Sequence, residues 1–246
     1  MITFIETEFL KLKRSKIFFI TILGALFVPF MLSMGIAYQL WQSPDYIFYF
    51  KDGFEVMKQF LFVLFGVEVF AIVSAYLFGR EYSERTLKSI LTTPISKIKY
   101  LCGKFLMFFI WTILLVLISY FGLILFGEVI GIKGLTFGIF SETLTSYLYN
   151  GVLLFLTMTP FAFFAIWIKS LVPSMIAGGV VTVGSMMIYG RDLTPLFPWT
   201  GSFVLANGEI SQYAYSEATT FGIILAVFII GFVLSYIHLY KTDTPL

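Results

Sequence analysis

The chain has 246 residues, of which 59% are hydrophobic and only 12% charged, and it contains 30 phenylalanines. Soluble domains carry about 25% charged residues, and a soluble fold of this size leaves roughly a quarter of the surface of its unfolded chain exposed. So much apolar surface therefore needs a lipid covering. The net charge of +2 gives no reason to expect a nucleic acid partner. The single cysteine cannot form a disulfide within the chain.

Stretches almost free of charge and long enough to cross a bilayer recur along the whole chain. A membrane helix needs about 20 mostly apolar residues. The gaps between charged residues predict six spans, at 17–38, 60–79, 105–127, 144–168, 171–189 and 220–240. A membrane β-barrel would show alternating segments of about ten residues instead. The sequence therefore predicts an all-α integral membrane protein that forms one domain over residues 1–246.

The lysines and arginines indicate the orientation. Of the 16, four precede the first span, six lie in the loop after the second, one follows the fourth span and one is in the C-terminal tail. These regions share one side of the membrane if the chain crosses six times. Because positive loops stay in the cytoplasm, both termini are predicted to be cytoplasmic.

The first 16 residues have an amphipathic pattern. Ile2, Ile5, Phe9 and Leu12 recur at helical spacing, while the charged residues fall elsewhere. The pattern predicts an N-terminal elbow helix in the membrane interface, with its lysines near anionic lipid. A plain cluster of charges that only sets the orientation is the alternative.

The loop at 80–104 is predicted to hold a short amphipathic helix in the cytoplasm. Two acidic residues, Glu81 and Glu84, each precede a basic residue by four positions, which favours helical ion pairs. Pro94 ends this helix, and Ser96 is a predicted N-cap for the next one. The apolar face would contain Ser83, Leu87, Ile90 and Leu91. Such a helix can dock on a cytoplasmic partner or rest on lipid headgroups, and the pattern leaves both open.

Polar and small residues inside the spans are candidates for an internal site. Glu68 lies near the middle of span two, where a lone charge costs at least about 2.5–3.5 kcal/mol, so it is predicted to face the protein interior or water, or to be protonated. Ser174, Gly178 and Thr182 recur every four residues in span five, a spacing that lets helices approach closely. After span five, residues 190–219 mix turn-forming and apolar residues and predict short helices that dip into the membrane surface.

No residue pattern predicts catalysis or metal binding. One histidine and one cysteine argue against metal or thiol chemistry. The only Gly-Lys pair, Gly103-Lys104, is followed by Phe105, and Ile98 stands where a phosphate loop needs glycine. The chain is therefore predicted to be no enzyme, to bind no cofactor itself, and to draw energy from a partner or an ion gradient.

Two segments resemble the ABC-2 class of ABC transporter permeases. They are Glu-Phe-Leu-Lys-Leu-Lys-Arg at 8–14 and the stretch at 78–104, which contains Phe-Gly-Arg-Glu, Arg-Thr-Leu, Ile-Leu-Thr-Thr-Pro and Gly-Lys in that order. The predicted topology resembles that class over the whole chain. Arg85 departs from the class, because many members have glycine before the threonine.

The resemblance implies that the loop is a coupling helix that sits in a groove of a separate ABC ATPase subunit. The residues that it assigns to this contact are Glu81, Glu84, Arg85, Thr86, Leu87, Ile90, Leu91 and Pro94. It also implies that the region of Ser174, Gly178 and Thr182 lines a translocation path or a contact between permeases, although packing within the chain explains the same spacing.

The resemblance further implies an ABC exporter in a bacterial cytoplasmic membrane. ATP and Mg²⁺ would be bound by the ATPase, and a second permease subunit, identical or paralogous, would complete the path for an amphiphilic cargo. Size and N-terminal sequence look most like permeases for bacitracin and lantibiotic resistance in Gram-positive bacteria. A lipid-modifying enzyme, an ion-coupled carrier and a non-transporting sensor or immunity protein are the alternatives.

Overall fold

The computed structural model describes residues 2–43, 45–84, 86 and 96–241. In these residues the chain is helical, and extended pairing is limited to one bridge between Tyr49 and Lys133. We number the α-helices in chain order: α1 Ile2–Lys13, α2 Lys16–Gln42, α3 Phe50–Gln59, α4 Gly66–Ser83, α5 Lys97–Ile130, α6 Phe137–Leu156, α7 Thr159–Ile168, α8 Val172–Ile188, α9 Pro198–Ala206 and α10 Glu217–Lys241.

Five helical stretches among the described residues are long and apolar enough to cross a membrane. They are Lys16–Gln42, Phe50–Ser83, Lys97–Ile130, Phe137–Ile168 and Glu217–Lys241. This confirms the predicted all-α membrane architecture. Helix α8 is apolar but has 17 residues, so it is about 25 Å long at 1.5 Å per residue, against a hydrocarbon core of about 30 Å. The sixth span and the orientation stay predictions.

The helical stretch that contains span two begins ten residues before the predicted start at residue 60. Helix α3 starts at Phe50, whose N–H donates to the carbonyl of Lys133 at 2.9 Å. Phe50, Phe54 and Met57 then recur at helical spacing and are fully buried. Charged residues on the other faces of α3 made this stretch resemble a connecting loop in the sequence.

A wide π-helical turn at Phe60–Phe65 joins α3 to α4. Such turns are rare, and they often mark functional positions. Across the helix interface, the Thr182 hydroxyl donates to the Leu64 carbonyl at 3.4 Å. Helix α8 therefore packs directly against the irregular part of span two.

Both ends of the loop at 80–104 are helical in the structure. Helix α4 extends to Ser83, and α5 starts at Lys97, eight residues before the predicted start of span three. The predicted N-cap is confirmed, because the Ser96 hydroxyl oxygen accepts a hydrogen bond from the backbone N–H of Lys99. The predicted helix in the middle of this loop lies outside the described residues.

Two other predicted regions correspond to helical elements. The N-terminal segment forms α1, with Leu12 fully buried and Glu6 and Lys13 exposed. The segment after span five contains α9 and two short 3₁₀ turns, Thr194–Leu196 and Glu209–Gln212. Both regions are thus helical in part, while the elbow in the membrane interface and the dipping of residues 190–219 into the membrane surface stay predictions.

Helices α7 and α10 come close to each other at Gly231. A Cβ added there would lie 2.7 Å from the carbonyl carbon of Thr159 and 2.8 Å from the nitrogen of Pro160. The Thr159 hydroxyl also donates to the carbonyl of Val227 at 3.1 Å. A small residue at this point allows the two backbones to approach each other, as is common between membrane helices.

We predict that Gly231→Leu destabilises the protein by about 1–3 kcal/mol, because the new side chain overlaps backbone atoms of α7. Gly222→Leu is the matched control on the same helix, since a Cβ at Gly222 meets nothing within 4 Å. Thermal unfolding in mild detergent measures the difference. Equal melting temperatures for the two variants would contradict this packing.

Candidate functional site

A buried cluster of charged side chains lies where α1, α4 and α5 meet. Glu8 of α1 is 3% exposed, while Glu81 of α4 and Lys104 of α5 are each 2% exposed. Lys11, one turn after Glu8, completes the cluster, with 32% of its side chain exposed. We call these four residues the ion cluster. It is the densest set of buried charges in the described part of the chain.

Each ammonium group of the ion cluster bridges the same two carboxylates. The Lys104 Nζ lies 3.1 Å from a Glu8 oxygen and 3.0 Å from a Glu81 oxygen. The Lys11 Nζ lies 2.5 Å from the other Glu8 oxygen and 3.2 Å from the other Glu81 oxygen. Two positive and two negative charges therefore compensate one another.

Further hydrogen bonds complete the coordination of the buried groups. Lys104 donates to the Leu77 carbonyl at 2.5 Å, and the Tyr100 hydroxyl donates to Glu81. Burial raises the pKa of Glu8, but Lys104 and Lys11 outweigh this effect and hold that pKa below its ordinary value. Glu8 is therefore a carboxylate at neutral pH, as the ion cluster requires.

Close packing of α1 on α5 brings Glu8 to Lys104. A Cβ on Gly103 would lie 2.6 Å from the ring of Phe4, one turn before Glu8, so only glycine lets α1 approach this closely. The Phe4 ring also packs edge-on against Tyr100 at 5.9 Å. Both residues of the Gly-Lys pair therefore contact α1: Gly103 packs on Phe4, and Lys104 pairs with Glu8.

The ion cluster stands at the base of the loop at 80–104. Glu81 lies near the end of α4, at the start of the loop, and Lys104 lies two turns into α5, at its other end. Arg80 adds a link to α1, because its guanidinium donates to the Lys11 carbonyl at 3.2 Å. Residues at both ends of the loop therefore contact α1.

Two predicted coupling residues differ in accessibility. Glu81 is buried, so its carboxylate holds the base of the loop and does not face a partner in this packing. Glu84 is exposed on half of its side chain and pairs with Arg80 at 2.8 Å. The Thr86 N–H donates to the Glu81 carbonyl at 3.0 Å. The other predicted coupling residues lie outside the described residues: Arg85, Leu87, Ile90, Leu91 and Pro94.

The second group of predicted site residues lies between span two and α8. A Cβ on Gly178 would lie 2.8 Å from a Glu68 carboxylate oxygen and 2.6 Å from the Cβ of Ala71. That Glu68 oxygen is buried without a hydrogen-bond partner. The Ser174 hydroxyl donates to the Phe161 carbonyl at 2.8 Å. With Thr182 on Leu64, the small residues of α8 pack within the chain, and Glu68 faces this contact.

The sequence does not predict that Glu8, Lys11 and Lys104 meet. Each of the three also fits an orientation signal or a family motif. The available signal was that Glu8 falls one residue before the apolar position Phe9, on the side of α1 that packs on the bundle. Within the described residues, no group of three or more histidine, cysteine, aspartate or glutamate side chains could hold a metal ion.

We predict that Lys104→Met destabilises the protein by about 3–5 kcal/mol, because it leaves two buried carboxylates with only one partner. Combining it with Glu8→Gln should recover part of this loss, since the remaining pair is again neutral. Lys99→Met, an exposed lysine on the same helix, is the control and should change stability little. Melting temperatures of the parent, Lys104→Met, Glu8→Gln and the double variant form the cycle; strictly additive effects would contradict a shared cluster.

Comparison with known proteins matches the whole region of the ion cluster. The model of a family described as ABC-2 family transporter protein matches residues 4–185. The chain is also 30% identical over 200 residues to the Bacitracin transport permease protein BCRB of Bacillus licheniformis, covering 81% of this chain and 96% of that relative. With five apolar helices able to cross a bilayer, the chain is a multi-pass protein of the cytoplasmic membrane. It belongs to the ABC-2 family of transporter proteins.

Proposed function

We propose that the chain is the permease subunit of an ABC exporter and has no enzymatic activity of its own. A separate ABC ATPase subunit hydrolyses ATP with Mg²⁺, and the loop at 80–104 docks into a groove of that subunit. The bundle crosses the membrane six times as a single domain, with both termini in the cytoplasm. The ATPase then lies in the cytoplasm, on the same side of the membrane as the loop.

The observation that carries this proposal is the ion cluster at the base of the loop. A loop that only rests on lipid headgroups needs no rigid attachment, yet Glu81 and Lys104 hold its two flanking helices to one elbow helix. A buried, hydrogen-bonded charge cluster resists shear because displacing any member leaves another charge unpaired in a low-dielectric site. A force applied to the loop is therefore delivered to α1, α4 and α5 together.

The cargo is an amphiphilic peptide antibiotic or a lipid-associated compound, which the transporter moves across or out of the membrane. The support is the similarity to a bacitracin transport permease, whose function we extend to this chain. A role in bacitracin resistance or lantibiotic immunity follows from the same extension. The residues of the path are those between span two and α8: Glu68, Ser174, Gly178 and Thr182.

A second permease subunit, a copy of this chain or a paralogue, completes the transporter. Helix α8 supports this, because one side of it packs on span two while Ile176, Val180 and Val183 on another side are more than half exposed. Either lipid or a second permease covers that side in a membrane.

The proposal is tested by purifying the chain from membranes with an ABC ATPase subunit encoded next to it. We expect a stoichiometric complex that hydrolyses ATP. The charge-reversing variant Glu84→Lys, combined with Leu87→Asp, should lose the ATPase subunit by at least tenfold and still insert in the membrane. Glu6→Lys, an exposed acidic residue on α1, is the control and should keep it.

A chain that purifies without an ATPase subunit in mild detergent would contradict the ABC permease assignment. The ion-coupled carrier would then gain support, because the unpartnered oxygen of Glu68 is a candidate ion-binding group. Retention of the ATPase by the Glu84→Lys and Leu87→Asp variant would contradict docking through this loop while leaving the complex itself in place.

A further inference from the structure

The structure holds a second buried cation, Lys58, at the end of the bundle opposite the ion cluster. Lys58 is 5% exposed and lies one residue before the last residue of α3. Its ammonium group contacts three different parts of the chain: Glu55 Oε2 at 2.9 Å, Ser146 Oγ at 3.2 Å and Asn207 Oδ1 at 2.8 Å. All three of its hydrogens therefore have an acceptor.

We propose that Lys58 is a latch that holds residues 194–212 closed over the end of the bundle. We call these residues the distal segment. Asn207 stands at the end of α9, within the distal segment, while Ser146 belongs to α6 and Lys58 to α3. One ammonium group thus ties the distal segment to two membrane helices that are remote from it in sequence.

The distal segment is compact and buried on its inner side. Phe203 and Val204 of α9 are 4% and 0% exposed, and the Phe203 ring packs edge-on against Tyr189 at 5.7 Å. The Thr200 hydroxyl donates to the Thr194 carbonyl at 2.8 Å, which joins α9 to the preceding turn. The bond from Thr200 to Thr194 lies within the distal segment and lets α9 and this turn move as one body, whereas the contact with Tyr189 breaks when the segment opens.

The distal segment can separate from Lys58 without leaving this lysine unpaired. Glu55 is 57% exposed on its side chain, so Lys58 keeps a solvated acidic partner when Asn207 and Ser146 move away. On the distal segment, Asn207 is uncharged, and it also donates to the Phe203 carbonyl at 2.8 Å within its own helix. Opening therefore breaks hydrogen bonds to a charged group, each a modest contribution to stability, and Lys58 keeps Glu55 as its partner.

Span two connects this latch to the other end of the bundle. The helical stretch Phe50–Ser83 contains Lys58 near one end and Glu81 of the ion cluster near the other, with the π-helical turn at Phe60–Phe65 between them. If the proposed function holds, the ATPase moves span two, and this movement changes the distance from Lys58 to Ser146 and Asn207. This step rests on the proposed function. The latch itself does not depend on that assignment.

The test measures how fast a buried cysteine in the distal segment reacts with a membrane-impermeant maleimide added outside intact cells. In a Cys102→Ser background, Ser202→Cys is the reporter, because Ser202 is 2% exposed and the change replaces one atom. We expect Lys58→Met to raise its labelling rate about tenfold, since the rate follows the population of the open segment. Lys51→Met, an exposed lysine on the same helix, should leave the rate unchanged.

Two further cysteine reporters test whether a change in labelling rate has another cause than opening of the distal segment. Ser211→Cys is exposed on the distal segment and should label at the same rate in every variant, which verifies insertion and sidedness. Thr143→Cys is 6% exposed on α6, outside the distal segment, and should stay slow unless the whole end of the bundle loosens. Equal Ser202→Cys labelling in Lys58→Met and the parent, or acceleration of both buried reporters together, would overturn the latch. Loss of the ATPase complex would not affect this outcome.

Discussion

Charges buried between helices must be compensated where they stand, and in this permease that constraint joins α1 to both ends of the loop at 80–104. Glu8, Glu81 and Lys104 are almost completely removed from solvent, so each depends on the others remaining in place. Apolar packing tolerates small sliding movements, whereas a displaced buried ion loses its partner in a low-dielectric site. The ion cluster is therefore the point at which α1, α4 and α5 behave as one body.

The two buried lysines stand near opposite ends of the bundle and have different surroundings. Lys104 is enclosed by two carboxylates and a carbonyl, which suits a permanent joint. Lys58 contacts one partly solvated carboxylate and two uncharged groups, which suits a contact that opens. The helical stretch Phe50–Ser83 contains Lys58 itself and Glu81, which is a partner of Lys104. Its π-helical turn, against which Thr182 hydrogen-bonds, separates the two regions.

Much of the architecture could be predicted from the sequence because membrane helices are set by length and hydropathy. Charge-free stretches predicted the apolar helices, and turn residues predicted the short helices after span five. The start of span two could not be predicted this way, since Lys51 and Lys58 interrupt the apolar run. Only the folded chain shows that Lys58 points inward, to acceptors on α6 and α9 that lie far away in sequence.

The ion cluster could not be predicted from the sequence for a related reason. Glu8 and Lys104 are 96 residues apart, and each has an adequate local explanation as an orientation signal or a motif residue. Their meeting depends on the close approach of Phe4 to Gly103, a tertiary contact that no local pattern encodes. The small residues of α8 were ambiguous in the sequence, and the structure places Ser174 and Gly178 in contacts within the chain.

The central claim is that the ion cluster makes α1 move as one body with the loop at 80–104. Amide hydrogen exchange in the purified chain, with and without its ABC ATPase subunit, tests this most directly. We predict that the ATPase slows exchange in the loop and in α1 of the parent protein. A Glu8→Gln, Lys104→Met variant loses the link from α1 to α5 and keeps Lys11 beside Glu81, so the ATPase should slow exchange in its α1 less than in the parent. Protection of α1 that persists unchanged in this variant would contradict the account.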